Sequence, residues 1–124
     1  MNRPHKKLDV WQESVSLATH IYEVTEKFPK TEIYGLTSQM RRAIVSISSN
    51  IAEGAARTSS KEFSYFLNIA GGSLSELDTQ LEIAHNLHFI TIEQKQDIDV
   101  KMESISGKLA GLIQHVRKKV KGET

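Results

Sequence analysis

The chain has 124 residues, a net charge of +1, two prolines and no cysteine. That length suits one domain, 1–124, large enough to bury its own core, and the missing cysteines exclude a disulfide framework and any thiolate metal site. The first seven residues have no apolar run behind them, and no window approaches the ~20 apolar residues of a membrane span, so a soluble cytoplasmic protein with no membrane partner is expected.

The first helix, α1, is expected over about 9–28, with Asp9 as its cap and Gln12 three residues on. Trp11, Val15, Ala18 and Tyr22 form one apolar stripe. Val10, Leu17, Ile21, Val24 and Phe28 form a second, about 100° further round. Together they make close to half the circumference apolar, more than a monomeric bundle needs. Either the core face is wide, or the second stripe meets another subunit. Phe28-Pro29 ends α1, and Gly35 punctuates the linker.

The second helix, α2, follows over about 36–53, with Leu36, Met40, Ala43, Ile44, Ile47 and Ile51 facing inward. Arg42, Ser46, Ser49 and Glu53 occupy its other side, where small side chains admit a close neighbour. Gly54 is placed to stop the helix. A four-residue connection then makes α2 and the third helix antiparallel neighbours.

That third helix, α3, is expected over about 60–88. It opens on a capping box, Ser59 with Glu62, and carries a seam of Phe63, Leu67, Ala70, Leu74, Leu77, Leu81, Ala84 and His88. Gly71 and Gly72 interrupt it at about 1 kcal/mol each relative to alanine. Gly72 lies almost opposite the seam. It is either a tolerated kink or, the reading preferred here, the place where a second backbone packs against the back of α3. Thr91 and Gln94 form another capping box and open α4, about 92–121, whose seam runs through Ile98, Met102, Ile105, Leu109, Leu112, Val116 and Val120. Four helices with short connections predict an all-α, antiparallel up-down-up-down four-helix bundle.

The run Arg41-Arg42-Ala43-Ile44-Val45-Ser46-Ile47-Ser48-Ser49-Asn50-Ile51-Ala52-Glu53-Gly54 resembles the signature of the four-helix-bundle proteins of the 23S rRNA intervening-sequence family. Lys61-Glu62-Phe63, Phe66-Leu67, Gly72-Ser73-Leu74 and Glu76-Leu77 are similar to the same family, as is the opening 8–17 with its Val-Trp-Gln. The resemblance spans roughly 8–118. It implies a kinship with reading frames found inside insertions in bacterial 23S rRNA genes, many of them labelled ribosomal proteins. It also implies a relationship to the accessory protein of diversity-generating retroelements, a pentameric ring that associates with reverse transcriptase and nucleic acid. Members often carry proline where this chain has Ser48, so α2 is expected to be more regular here. The family motif supplies no catalytic residues.

Glu82 and His85 form a Glu-x-x-His on α3, the spacing used in di-iron bundles, but such a site needs a second copy and two further glutamates. No second copy exists, and His20 with Glu23 makes only two ligands, so no metal or other cofactor is expected. No Gly-x-Ser-x-Gly elbow and no phosphate-binding glycine loop occur. No enzymatic activity and no small-molecule substrate are expected. Trp11, Phe63 and Phe66 sit on apolar seams and read as core rather than as base-stacking platforms.

The basic residues are the better lead. In this topology the N-terminus, the α2–α3 connection and the C-terminus share one end of the bundle. Residues 1–7 carry +3, residues 53–62 carry zero and residues 115–124 carry +3, which makes a pole of +6 and leaves −5 elsewhere. Lys6, Lys7, Arg57, Lys61, Arg117, Lys118, Lys119 and Lys121 are therefore the candidate nucleic-acid contacts. Cations also suit a helix C-terminus, which explains Lys118 to Lys121 without a ligand. The expected function is a non-enzymatic homo-oligomer, a pentamer on the family resemblance, associating with RNA or a ribonucleoprotein. The alternative is a scaffold that recruits a partner enzyme without touching nucleic acid.

Overall fold

The computed structural model describes residues 1–123. The four periodic segments form α1 (Asp9–Thr25), α2 (Leu36–Ala55), α3 (Ser60–Asn86) and α4 (Ile92–Glu123), with 3-10 turns at Pro4–Lys7 and Lys30–Glu32. Each helix packs against its two neighbours, α1 against α2 and α4, and α3 against α2 and α4. Residue numbers fall on one helix as they rise on the next. Glu13 meets Ser104 and Lys108 while His20 meets Lys101, and Ser46 meets Ser73 while Gly54 faces Phe63 and Phe66. That sense is what short connections impose.

All four helices contribute to one core. Leu17, Ile21, Met40, Ile44, Ile47, Ile51, Leu67, Leu77, Leu81, Ile98, Ile105 and Val116 are its fully buried large side chains. Each contributes about 1.5–3 kcal/mol by leaving water. On α1 the stripe through Val10, Leu17, Ile21, Val24 and Phe28 is this core. The expectation that it could meet another subunit is therefore corrected. The surplus is the other stripe, where Trp11 and Ala18 are half-buried, and Val15 and Tyr22 are exposed on the flank toward α2.

The helix ends are decided by local chemistry. Ser59 accepts the Glu62 backbone N–H at 3.2 Å, but its hydroxyl, not its backbone N–H, meets the Glu62 carboxylate. Thr91 and Gln94 form the complete reciprocal box, at 2.8 and 3.1 Å. Asp9 does not cap α1. Leu8 occupies that position, Asp9 lies in the first turn, where its charge suits the helix dipole, and Gln12 donates to the Lys6 carbonyl at 2.7 Å. The α2 start borrows a cap from upstream, the Glu32 carboxylate accepting the Leu36 N–H at 3.0 Å. With Ser48 in place of proline, α2 runs unbroken, and the Ser48 hydroxyl donates to the Val45 carbonyl.

Two ends differ from expectation. α1 stops at Thr25 rather than 28, with Thr25 Oγ1 donating to the Ile21 carbonyl and Phe28 folding back to meet Phe89 at 5.4 Å between ring centres. α3 stops at Asn86, and His88 leaves the seam to adopt φ +61°. His88 N–H donates to the His85 carbonyl and Phe89 N–H to the Ala84 carbonyl, a Schellman motif with histidine where glycine is usual. Left-handed backbone costs a non-glycine residue about 1–2 kcal/mol, against a gain of about 0.5–1 kcal/mol from a stiffer unfolded chain. His88→Gly should therefore raise the unfolding free energy by about 0.5–1 kcal/mol, seen as a Tm increase of about 2–5 °C. An unchanged or lower Tm would show that the imidazole contributes a compensating contact.

Candidate nucleic-acid interface

Arg41, at the start of α2, donates to Thr25 Oγ1 at 2.9 Å and pairs with Glu26 at 3.2 Å, beside the end of α1. The start of α1 therefore lies toward the far end of α2. There the 3-10 turn bearing Lys6 and Lys7 packs against both helices. Arg57 follows α2 at that end, and Lys61 opens α3. The backbone N–H of Ser60 donates to the Glu123 carboxylate at 3.3 Å, and its hydroxyl donates to the same group, so the last turn of α4 ends beside the first turn of α3. The eight candidate cations are thus gathered at one end of the bundle.

They are not equivalent. Lys6, Lys7, Lys61, Arg117, Lys118 and Lys119 are exposed and have no ion pair among the described residues. Lys121 is exposed as well. Arg57 is partly committed: it pairs with Glu53 at 2.7 Å, and its guanidinium lies over the Phe66 ring at 4.9 Å. Helical geometry spreads Arg117, Lys118 and Lys119 about 100° apart, a fan rather than a row. The C-terminal dipole of α4 favours these cations but offsets only about half a charge. Glu123 already occupies the amide end of α3.

Several of the remaining charges are engaged along or between helices. Lys95 sits between Asp99 at 2.8 Å and Glu82 at 2.9 Å, and these two hydrogen bonds, Asp99 first, hold its ammonium well above the ordinary lysine range. Hydrogen bonds from Lys108 and then Ser104 hold the Glu13 carboxyl below the usual carboxylate range. Asp97 pairs with Lys101 at 3.3 Å. Glu82 is therefore engaged away from His85. No group of three or more His, Asp or Glu among the described residues could hold a metal ion. Among the described residues no helix is long and apolar enough to cross a membrane.

One aromatic of this pole lies off the apolar seams that helical spacing selects. Tyr65 lies on the side of α3 opposite Leu67 and Leu74, is 62% exposed and meets the edge of Phe66 at 5.2 Å between ring centres. Its signal was its wheel position, off the seam and four residues from Lys61. Phe63 and Phe66 are half-buried, one against the position of Gly54, the other beneath Arg57.

Comparison with known proteins gives the same architecture and one family. No curated protein matches the chain. A solved structure that it resembles is a protein of unknown function from the S23 ribosomal protein family of Bacteroides thetaiotaomicron VPI-5482. The two share 27% identity and superpose with a TM-score of 0.78, over 84% of this chain and 97% of that one. The family model described as 23S rRNA-intervening sequence protein matches residues 6–111, which includes the 41–54 signature and all of α1, α2 and α3. With its signature run inside the bundle that such a relative shares, this chain belongs to the 23S rRNA-intervening sequence protein family.

Proposed function

We propose that this protein is a non-enzymatic, homo-oligomeric helical bundle that associates with RNA or a ribonucleoprotein through its basic pole. The observation that carries this reading is the gathering of exposed cations from three separate parts of the chain, with a local charge of +6. A field of that sign concentrates phosphates, and the flexible lysines at the end of α4 can follow a backbone without reading sequence. The direct test is whether protein purified at low salt carries RNA that high salt removes. A nucleic-acid-free preparation that binds no added RNA would end this reading.

The oligomeric part is supported by apolar surface that the bundle leaves uncovered. Ile69, Ile83 and Leu87 are exposed along the back of α3, in line with Gly72, and a methyl group at Gly72 would meet nothing within 4 Å in the same chain. Val15 and Tyr22 add a second exposed stripe on α1. Light scattering at micromolar concentration is expected to give a multiple of 13.9 kDa, five-fold on the family resemblance. A monomeric mass would remove self-association, and a dimer or tetramer would remove only the pentamer.

A second reading, a scaffold that recruits a partner protein, is favoured by the opposite end of the bundle. There Ile33 is 57% and Tyr34 95% exposed, beside a 380 Å³ hollow lined by Phe28, Pro29 and Arg41. Such a pair of exposed side chains suits a protein partner more than a phosphate chain.

A further inference from the structure

A hollow of about 390 Å³ opens at the basic pole, lined by Arg57, Lys61, Glu62, Tyr65 and Phe66. That is near the lower limit of ordinary small-ligand sites. Its lining is unlike the rest of the pole. Arg57 pairs with Glu53, and Glu62, whose carboxylate accepts from the Ser59 hydroxyl at 3.1 Å, balances the charge of Lys61 without pairing with it. The hollow itself is therefore close to neutral, while the unpaired cations Arg117, Lys118 and Lys119 lie on α4, whose last turn meets Ser60 at the start of α3. The exposed aromatic in its lining is Tyr65, at 62%. The Arg57 guanidinium lies over the Phe66 ring, 4.9 Å from its centre, so a guanidinium and an aromatic ring border the same space.

A near-neutral hollow bordered by an exposed aromatic ring, at a pole that also carries unpaired cations, has the chemistry of a nucleobase seat rather than of an anion site. We propose that Tyr65 stacks an unpaired base of single-stranded RNA in this hollow, with phosphates further along the strand held by the α4 cations at the same end of the bundle; this rests on the RNA reading of the pole. A duplex keeps its bases stacked on one another, so only a single strand, loop or bulge can place one on the ring. The phosphates supply binding strength without discrimination, and the ring supplies the preference for an unpaired strand. Stacking tolerates every base, so little sequence preference is expected.

The test compares three probes of equal length: a mixed-sequence single-stranded RNA, the same backbone without bases, and a duplex. Tyr65→Ala should lower affinity for the single strand about tenfold and leave the baseless strand, the duplex and the salt slope unchanged. Tyr65→Trp should restore single-strand affinity. Because the ring is mostly exposed, melting curves of both variants should match the parent. An equal loss on all three probes would overturn the stacking role, as would a changed oligomer mass, which would make Tyr65 an interface residue. If Tyr65→Ala had no effect while charge reversal on α4 abolished binding, the pole would stand and the base seat would fall. If the parent bound none of the three probes, both would fall together.

Discussion

Reversing Arg117, Lys118 and Lys119 to glutamate is expected to lower RNA affinity about a hundredfold at ~50 mM salt, and to flatten the dependence on salt. Each phosphate neutralised on a single strand releases about 0.7 of a counterion, so losing three contacts reduces the slope of log affinity against log salt by about 2. The loss should be similar on unrelated sequences, because phosphate contacts carry no sequence information. The fold should persist, since all three side chains are exposed and have no ion pair among the described residues. Circular dichroism checks that point.

The control must be chosen from the structure. Asp97 and Asp99 are tied to Lys101 and Lys95, and Lys95 is only 14% exposed, so reversing Asp99 would confront a nearly buried ammonium with a second cation. Glu23 and Glu103 are exposed and have no ion pair among the described residues to lose. Changing both to lysine should leave affinity unchanged or raise it slightly. A triple reversal that binds as tightly as the parent, with the same slope, would remove the nucleic-acid reading and move the scaffold reading to first place.

The bundle was legible in the sequence because its information is periodic. Leu67 to Ala84 on α3 and Ile98 to Val116 on α4 repeat at helical spacing, and the buried apolar residues there are among those that spacing selects. Caps made by one side chain on one amide, at Ser59 and Thr91, were equally readable. What was not legible depends on distance between helices. Which stripe of α1 becomes core depends on where α2 and α4 lie, and the wheel alone treats the two stripes alike. Glu32 caps α2 from four residues upstream, through a turn the sequence does not specify. The wheel marks Tyr65 as off the seam, but its surroundings were illegible for the same reason: they come from Arg57, which the α2–α3 connection folds back over Phe66.

Gly54 carries the sharpest case of that kind, and the second large effect. Glycine after a helical run reads as a stop, but α2 continues to Ala55 and no glycine in the described residues has positive φ. Its role is close approach. A Cβ there would lie 2.9 Å from Phe63 Cδ1, 2.9 Å from Phe66 Cβ and 3.2 Å from the Phe63 carbonyl oxygen. Two of those three atoms belong to backbone or to a Cβ fixed by it, so α3 itself would have to move. Overpacking of this kind costs about 1–3 kcal/mol for small additions, while alanine in a helix interior regains about 1 kcal/mol over glycine. Gly54→Ala should therefore be destabilising by about 1 kcal/mol, and Gly54→Val, larger and β-branched, by about 3 kcal/mol or more. Gly107 supplies the internal reference. It is exposed on α4, and a Cβ there would meet nothing within 4 Å. Gly107→Ala should then stabilise by up to about 1 kcal/mol, giving the same substitution with the opposite sign. Urea midpoints of the two alanine variants decide the matter. If both rose together, α2 and α3 would be further apart at Gly54 than drawn, and the platform that holds Phe66 beneath Arg57 would lose its stated cause.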